Sequence, residues 1–328
     1  MPIIKSKFKP AWWLPNTHLQ TLWSTFFRRT PKLKLNNLSI TLNDGDFIDL
    51  GVTQNITGQT NNRPLVLILH GLEGSLSSPY AKPLIKTLED AGYGIYFMHF
   101  RGCSGEPNTL PRSYHSGETE DLQFIVDYLT QKHQRKLHAI IGFSLGGNVL
   151  LKWLGEQQSQ AATESAIAVS VPFQLADAAK RMNKGFSKLY QMHLVSRLQR
   201  KYQDKFRIIA SPLTINIKKL KTFYDFDHHV TAPLHGFKSS TDYYQQCSSR
   251  QFIQAIKIPT LILHAKNDPF MYPSTPPTAN ELPHNVELEL SNTGGHVGFI
   301  GGKFPGKAHY WIDQRILEWL TKKRKTQQ

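Results

Sequence analysis

Short runs of apolar residues that alternate with helical patterns constrain the fold of this chain more than any other feature. Two of them, LVLILH at 65–70 and TLILHA at 260–265, are almost continuously apolar. Such strands are typical of a parallel sheet that helices cover on both faces, whereas a half-exposed strand alternates apolar and polar residues. Eight strands are predicted on this basis: Leu38–Leu42, Phe47–Val52, Leu65–His70, Gly94–Phe100, Leu137–Phe143, Ala166–Val171, Thr260–His264 and Val286–Leu290.

Helical patterns occupy several of the gaps between these strands. They are predicted at Pro79–Ala91, Ser116–His133, Asn148–Glu156 and Pro305–Lys322. Ser116 is a candidate N-cap, because a serine hydroxyl can accept from the first free N–H groups of a helix. Strands that alternate with helices predict a doubly wound α/β fold with a mostly parallel central sheet.

The alternation stops between Pro172 and Ile258, where the sequence favours helices and loops. This segment lies between two predicted strands of one sheet, so a helical cap over the sheet is expected at about 172–257. The chain of 328 residues is expected to form a single domain over 1–328, with an N-terminal extension at 1–37.

The run LHAIIGFSLGGNVLLKWLGE places a Gly-x-Ser-x-Gly pattern at the junction of a strand and a helix. Gly142 and Gly146 allow a sharp turn there, and that turn would expose the hydroxyl of Ser144 above the sheet. The strand before it and the helix after it make Ser144 a candidate nucleophile. The alternative is a structural turn whose serine has no chemical role.

A serine nucleophile needs a base, and the base needs an acid that orients it. In sites built on this turn the acid and then the histidine follow the serine along the chain. Asp268 follows the strand at Thr260–His264, and His296 lies in the loop GGHVG before the last helix. They are the candidate acid and base, with Asp227 and Asp242 as rival acids in the cap segment.

Two backbone N–H groups are candidates for stabilising an oxyanion. The N–H of Leu145 is at the start of the helix that follows Ser144, where the helix dipole favours negative charge. The second donor should come from the loop after an early strand, and HGLEG at 70–74 suggests the N–H of Leu72.

Charge and cysteine content narrow the function classes further. The net charge is +15, and twelve lysines and arginines against one acid lie between Lys180 and Lys221. Such a basic region can attract an anionic membrane, nucleic acid or an acidic substrate, or it can be a solvated face. No known nucleic-acid module is recognisable, so no nucleic-acid partner is expected. Two cysteines without metal-ligand spacing argue against a disulfide scaffold and a metal site.

The combination of motifs along the chain resembles the α/β-hydrolase superfamily, and specifically its YheT-like branch of predicted hydrolases. The segments that carry this resemblance are WWLPNTHLQTLW at 12–23, HGLEGSLSSPYAKPL at 70–84, FRGCSGEPN at 100–108, RSYHSGETEDL at 112–122, GFSLGGNVLLKWLGE at 142–156, NDPF at 267–270 and GGHVGF at 294–299. A further segment, FYDFDHHVTAPLHGF at 223–237, also resembles a block of that branch.

The resemblance implies a catalytic triad of Ser144, Asp268 and His296 that needs no metal and no organic cofactor. It implies a serine esterase or lipase that cleaves short- to medium-chain acyl esters or lipids through an acyl-enzyme, with a place in lipid metabolism. An alcohol O-acyltransferase with the same triad is the close alternative. A hydrolase-fold protein that binds a ligand without catalysis is a further one.

The sequence also bears on where the protein is located and on whether it contacts a membrane. The N-terminal residues contain no apolar signal segment and the longest apolar run is far too short to span a bilayer, so a cytoplasmic protein is expected. Apolar residues recur at helical spacing from Phe186 to Tyr202, with basic residues between them. Such a helix can lie at the surface of an anionic membrane or hold a polar head group, or it can be an ordinary lid helix.

Overall fold

The computed structural model of the chain describes residues 2–56 and 62–327, so the predicted domain boundaries at residues 1 and 328 lie outside it. The strands of its main sheet are β1 (Ile3–Lys5), β2 (Leu35–Thr41), β3 (Phe47–Thr53), β4 (Leu65–Leu69), β5 (Gly94–Met98), β6 (Ala139–Phe143), β7 (Ala166–Val169), β8 (Thr260–Ala265) and β9 (Val286–Ser291). Two further strands, β10 (Ile300–Gly301) and β11 (His309–Tyr310), form a small antiparallel pair.

The main sheet has the strand order β1-β9-β8-β7-β6-β4-β5-β3-β2. Its pairs are parallel, except that β3 runs antiparallel to both β2 and β5. This arrangement confirms the predicted α/β class with a mostly parallel central sheet. Each of the eight predicted strands is present, with ends that differ by a few residues.

Helices lie on both faces of this sheet and in the segment between β7 and β8. They are α1 (Thr17–Phe27), α2 (Ala81–Asp90), α3 (Thr119–His133), α4 (Leu145–Gln157), α5 (Leu175–Met182), α6 (Ser187–Lys205), α7 (Phe223–Phe226), α8 (Ala232–Leu234), α9 (Ser240–Cys247) and α10 (Trp311–Gln327). A π-helical turn, Asp227–Thr231, joins α7 to α8. Short 3-10 turns lie at Gln54–Ile56, Gln158–Gln160, Ile217–Lys219, Ser249–Ala255 and Ala279–Glu281.

The unbroken apolar character of β4 follows from helices on both sides of it. Leu65, Leu67 and Leu69 belong to a core that includes residues of α3 and α4. Val66 and Ile68 belong to a second core on the opposite face, with residues of α2 and α10. Since successive side chains of a strand point to opposite faces, a strand between two helix layers needs an apolar residue at every position.

Two predicted helix starts are wrong. Ser116 does not cap a helix: α3 begins at Thr119, the N–H of Ser116 donates to Tyr243 Oη at 2.9 Å, and its carbonyl accepts from Asn148. The last helix begins at Trp311 instead of Pro305, because β11 pairs with β10 immediately before it. In both places a distant partner takes up the backbone groups that the local pattern assigned to a helix.

Arg101, in the loop after β5, links the β2–β3 turn to α3. Its guanidinium is buried and donates to Asp121 at 2.6 and 2.7 Å, to Asp44 at 2.7 Å and to Asp46 at 3.0 Å. Because the guanidinium and these carboxylates hydrogen-bond to one another, this is a structural ion-pair cluster at the carboxyl end of the sheet.

None of the described helices combines the length and the apolar composition that a bilayer crossing requires.

Candidate active site

Ser144 lies on a strained turn between β6 and α4. Its φ of 50° and ψ of −115° are unusual for a residue with a side chain, and such conformations cost on the order of 1–3 kcal/mol. A Cβ atom added at Gly142 would overlap the carbonyl of Gly146, and one added at Gly146 would overlap the carbonyl of His70. Both glycines of the pentapeptide are therefore required by close approach of the backbone.

The structure brings Ser144, Asp268 and His296 together at the carboxyl edge of the sheet. The Nε2 atom of His296 lies 3.0 Å from Ser144 Oγ, and its Nδ1 atom lies 2.8 Å from Asp268 Oδ2. Asp268 is 3% exposed, and its second oxygen accepts from the N–H of Phe270 at 2.8 Å. This is the chain of contacts through which a carboxylate orients an imidazole toward a hydroxyl.

The rival acids Asp227 and Asp242 are engaged elsewhere. The carboxylate of Asp227 accepts from Thr231 and Tyr244, each at 2.7 Å. Asp242 accepts from the N–H of Lys238 beside the start of α9. Neither carboxylate contacts His296.

An aromatic ring fixes the plane of the His296 imidazole. Phe270 stacks on it with ring centroids 4.0 Å apart and an interplanar angle of 10°. Tyr190 of α6 packs against the Phe270 ring at 5.0 Å. The sequence places NDPF after β8 but gives no sign that its phenylalanine covers the histidine.

The loop after β4 leaves one backbone donor available beside Ser144. The N–H of Gly71 donates to Tyr80 Oη at 3.0 Å, that of Glu73 to Tyr114 Oη at 2.8 Å and that of Gly74 to the Gly71 carbonyl at 2.9 Å. No acceptor within the described residues takes the N–H of Leu72, which lines the cavity next to Ser144.

His70 holds this loop in place. One ring nitrogen lies 2.6 Å from the Gly71 carbonyl, and the other accepts from the N–H of Phe100 at 3.1 Å. Burial lowers the pKa of His70 to about 3, so its ring is neutral and donates through one nitrogen only. Leu145, the other predicted oxyanion donor, is the first residue of α4 and also lines the cavity.

Helix α1 braces the loop that carries His296, a role that sequence reasoning missed. The Oγ1 atom of Thr21 accepts from the N–H of His296 at 2.9 Å. The buried side chain of Gln20 donates to the carbonyls of Leu14 and Ile300 and accepts from the N–H of Ile300 at 2.7 Å. The motif at 12–23 was the available signal, but its long-range partner could not be identified from spacing.

We expect Thr21→Val to lower kcat for an ester substrate by roughly 10-fold, because leaving this partly buried N–H without its acceptor costs on the order of 1 kcal/mol and lets the His296 loop shift. Thr21→Ser retains the acceptor and should restore most of the rate. Thr25→Val, on the exposed side of the same helix, is the matched control. Equal kcat for Thr21→Val and wild type in steady-state assays would show that the brace does not position His296.

The residues between β7 and β8 form the far wall of a cavity beside Ser144. The cavity has a volume of about 160 Å³. Its lining from this segment is mainly apolar and includes Leu175, Ala178, Ala179, Met182, Leu194, Leu198, Phe206, Phe223, Phe226, Val230, Leu234, Tyr243 and Tyr244. The segment 223–237, whose role the sequence does not explain, contributes several of these wall residues.

Two basic residues of α6 contact the loop after β4. Arg197 donates to the carbonyl of Glu73 at 2.6 Å, and Lys201 pairs with the Glu73 carboxylate at 2.8 Å. Glu73 has a left-handed φ of 54° and follows Leu72 directly, so α6 clamps the loop that carries the candidate oxyanion donor. Leu194 and Leu198 of the same helix face the cavity.

The described residues contain no group of three or more histidine, cysteine or acidic side chains arranged to hold a metal ion.

A histidine held between a buried carboxylate and a serine on a strand–helix turn defines a hydrolase-type site on an α/β sheet. The family model described as the alpha/beta hydrolase fold matches residues 64–303. The chain therefore belongs to the α/β-hydrolase family, and it is a YheT-like member. It is 41% identical over 319 residues to the Escherichia coli K12 protein named "Putative esterase YheT", covering 96% of this chain and 93% of that protein.

Two other relatives carry lipid-related names. A mouse protein named phospholipase ABHD3 is 28% identical, with 94% of this chain and 77% of that protein covered. A Saccharomyces cerevisiae protein named monoacylglycerol lipase is 30% identical, with 79% of this chain and 59% of that protein covered. Among solved structures, the esterase Pf2001 of Pyrococcus furiosus matches with a TM-score of 0.52 at 18% identity, over 90% of this chain and 95% of that one, which shows the shared fold.

Proposed function

We propose that this chain is a serine hydrolase that cleaves carboxylic esters through an acyl-enzyme on Ser144. The observation that carries the proposal is the position of His296, whose Nε2 is 3.0 Å from Ser144 Oγ while its Nδ1 is 2.8 Å from buried Asp268. Relatives named as an esterase, a phospholipase and a monoacylglycerol lipase support ester bonds as the target.

In the proposed mechanism, Ser144 Oγ bonds to the carbonyl carbon of the ester while His296 Nε2 takes the hydroxyl proton. The N–H groups of Leu72 and Leu145 donate to the oxygen that becomes negative. The carbon–oxygen bond to the alcohol then breaks, and His296 returns the proton to the departing oxygen. Water repeats the sequence on the acyl-enzyme and releases a carboxylic acid and free Ser144.

We propose that the helical insertion, about 172–257, is a cap within a single domain and that it shapes the acyl site. The apolar wall suits a hydrocarbon chain, and a cavity of about 160 Å³ is comparable with one of about 150 Å³ that takes up a benzene molecule. A short to medium acyl chain has the size and the apolar character that match this cavity.

A panel of p-nitrophenyl esters from acetate to palmitate tests this function. Hydrolysis should be fastest for a short or medium chain, and addition of excess alcohol with product analysis separates hydrolysis from acyl transfer. Absence of turnover across the whole panel would contradict the proposed activity.

Peripheral contact with an anionic membrane is a second proposal for α6 and its approach. Phe186, Leu189 and Met192 are exposed large apolar side chains near its start, with Lys184 and Lys188 among them. Apolar side chains with flanking lysines can enter the interface of an anionic bilayer.

The two cysteines are unpaired, which suits the reducing cytoplasm as the location.

Vesicle flotation tests this contact. We expect the protein to float with vesicles that contain phosphatidylglycerol, to float less with pure phosphatidylcholine, and to lose the difference in a Leu189→Asp, Met192→Asp variant. Equal recovery with both vesicle types would remove the proposal.

A further inference from the structure

Few charged side chains line the cavity beside Ser144, and they differ in whether an opposite charge within the protein compensates them. The lining includes two lysines of α6, Lys201 and Lys205, and one carboxylate, Asp227. The two lysines are four residues apart, so they lie one helical turn apart on the same side of α6. Asp227 already accepts two hydrogen bonds, and burial raises its pKa to about 6.

The charge of Lys201 is compensated within the protein. Its ammonium lies 2.8 Å from the Glu73 carboxylate and 2.9 Å from the Cys103 sulfur. These contacts raise the pKa of Lys201 against the effect of burial. Lys201 therefore serves the loop that contains Leu72, and its charge is largely used there.

The charge of Lys205 is not compensated in this way. The residue is 4% exposed, and its ammonium donates to the carbonyls of Leu110 at 3.2 Å and Arg112 at 2.6 Å. No carboxylate among the described residues forms an ion pair with it. An ammonium has three N–H donors, so one donor has no acceptor in the described part of the chain.

Nearby charges do not change this conclusion. Asp46 contributes a favourable field at Lys205, but its carboxylate already accepts from Arg101, Asn108 and Thr109. Burial lowers the pKa of Lys205 to about 8, so the ammonium is still the main form at neutral pH. A buried cation without a counter-charge is costly, and a bound anion would relieve that cost.

We propose that Lys205 forms a subsite for a phosphate or carboxylate on the alcohol portion of the substrate, so that this protein acts on anionic esters. The acyl chain would lie against the apolar residues of the helical insertion, and the alcohol portion would reach the ammonium of Lys205 at the end of α6. This inference rests on the proposed ester hydrolase function and specifies its substrate class.

Matched substrate pairs test the subsite by activity. Octanoylglycerol phosphate is compared with octanoylglycerol, and 4-(octanoyloxy)benzoate with its neutral benzamide. We expect wild type to favour the anionic member of at least one pair, and Lys205→Gln to reduce the anionic-to-neutral ratio of kcat/KM by roughly 10- to 100-fold, as expected for a charged hydrogen bond. Glutamine keeps an N–H donor without the charge but is one bond shorter than lysine, so Lys205→Met, which is unbranched and has no donor, serves as a second variant.

The matched control is Arg200→Met, which removes an exposed charge from the same helix. It should leave the ratio unchanged. A ratio in Lys205→Gln equal to that of wild type for both pairs would overturn the subsite, even when all esters are hydrolysed. The pair that responds identifies phosphate or carboxylate as the bound group.

A binding measurement separates this proposal from the proposed catalysis. In a Ser144→Ala background, octyl phosphate or octanoate should raise the melting temperature more than octanol does, and Lys205→Gln should remove that difference. If the anions raise the melting temperature more than octanol does while the wild-type protein hydrolyses no ester, the catalytic function is contradicted and the anion subsite still stands. Equal shifts for octanol and both anions would overturn the subsite.

Discussion

Ser144→Ala is expected to lower kcat for the best p-nitrophenyl ester by roughly 10⁴- to 10⁶-fold, because loss of a nucleophile in such a triad removes most of the catalytic advantage. KM should change little, since the cavity proposed to bind the acyl chain is lined mainly by other residues. Stopped-time assays at high enzyme concentration can measure the residual rate. Ser196→Ala, on the exposed side of α6, is the control and should retain wild-type kcat.

A residual rate within 10-fold of wild type would show that Ser144 is not the nucleophile. The strained backbone at this position would then need another explanation. Circular dichroism spectra and melting curves of both variants verify that the comparison is between folded proteins.

Asp268→Asn is expected to lower kcat by roughly 10⁴-fold with a smaller effect on KM, because a neutral amide neither stabilises the imidazolium nor selects the correct imidazole tautomer. Phe270 stacks on the ring and should keep the imidazole near its position, so the loss reports charge and tautomer more than displacement. Steady-state kinetics on the same ester measure this effect.

Asp242→Asn is the matched control, since Asp242 was a rival acid and lies in the first turn of α9, where it accepts from the N–H of Lys238 and does not contact His296. It should change kcat by less than about 2-fold, as expected for a surface change away from the reacting atoms. If Asp242→Asn were as damaging as Asp268→Asn, the assignment of the acid would be wrong.

The sheet and the turn at Ser144 could be predicted from sequence because each leaves its signal within one short stretch of residues. Strands such as β4 are apolar at every position, and Gly142 and Gly146 are required by contacts of a few backbone atoms. The chain order of serine, acid and histidine, together with two loops at the same sheet edge, was enough to bring Asp268 and His296 into the hypothesis.

Other parts of the site depend on contacts between residues far apart in the chain. Thr21 meets the His296 backbone across 275 positions, and Arg197 meets Glu73 across 124. The residues next to each partner in the sequence do not indicate which distant residue it contacts. The three-residue strand β1 was missed for the same reason, since its pairing with β9 and not its composition defines it.

The sequence predicted the helix α6 but not which parts of the protein its basic side chains contact. The basic residues between its apolar positions were interpreted as able to contact an anionic membrane or hold a polar head group, with an ordinary lid helix as the alternative. In the structure Arg197 and Lys201 hold the Glu73 loop and Lys205 lines the cavity. Periodicity shows which residues share a side of a helix, but the fold decides what that side meets.

The central claim is that Ser144 accepts the acyl group, and covalent labelling tests it most directly. Wild-type protein is incubated with a fluorophosphonate, and intact mass and peptide mapping locate the adduct. One phosphonyl group per chain on Ser144, absent from Ser144→Ala and strongly slowed in Asp268→Asn, is the predicted result. Labelling of another residue, or equal labelling of wild type and Ser144→Ala, would contradict the assignment.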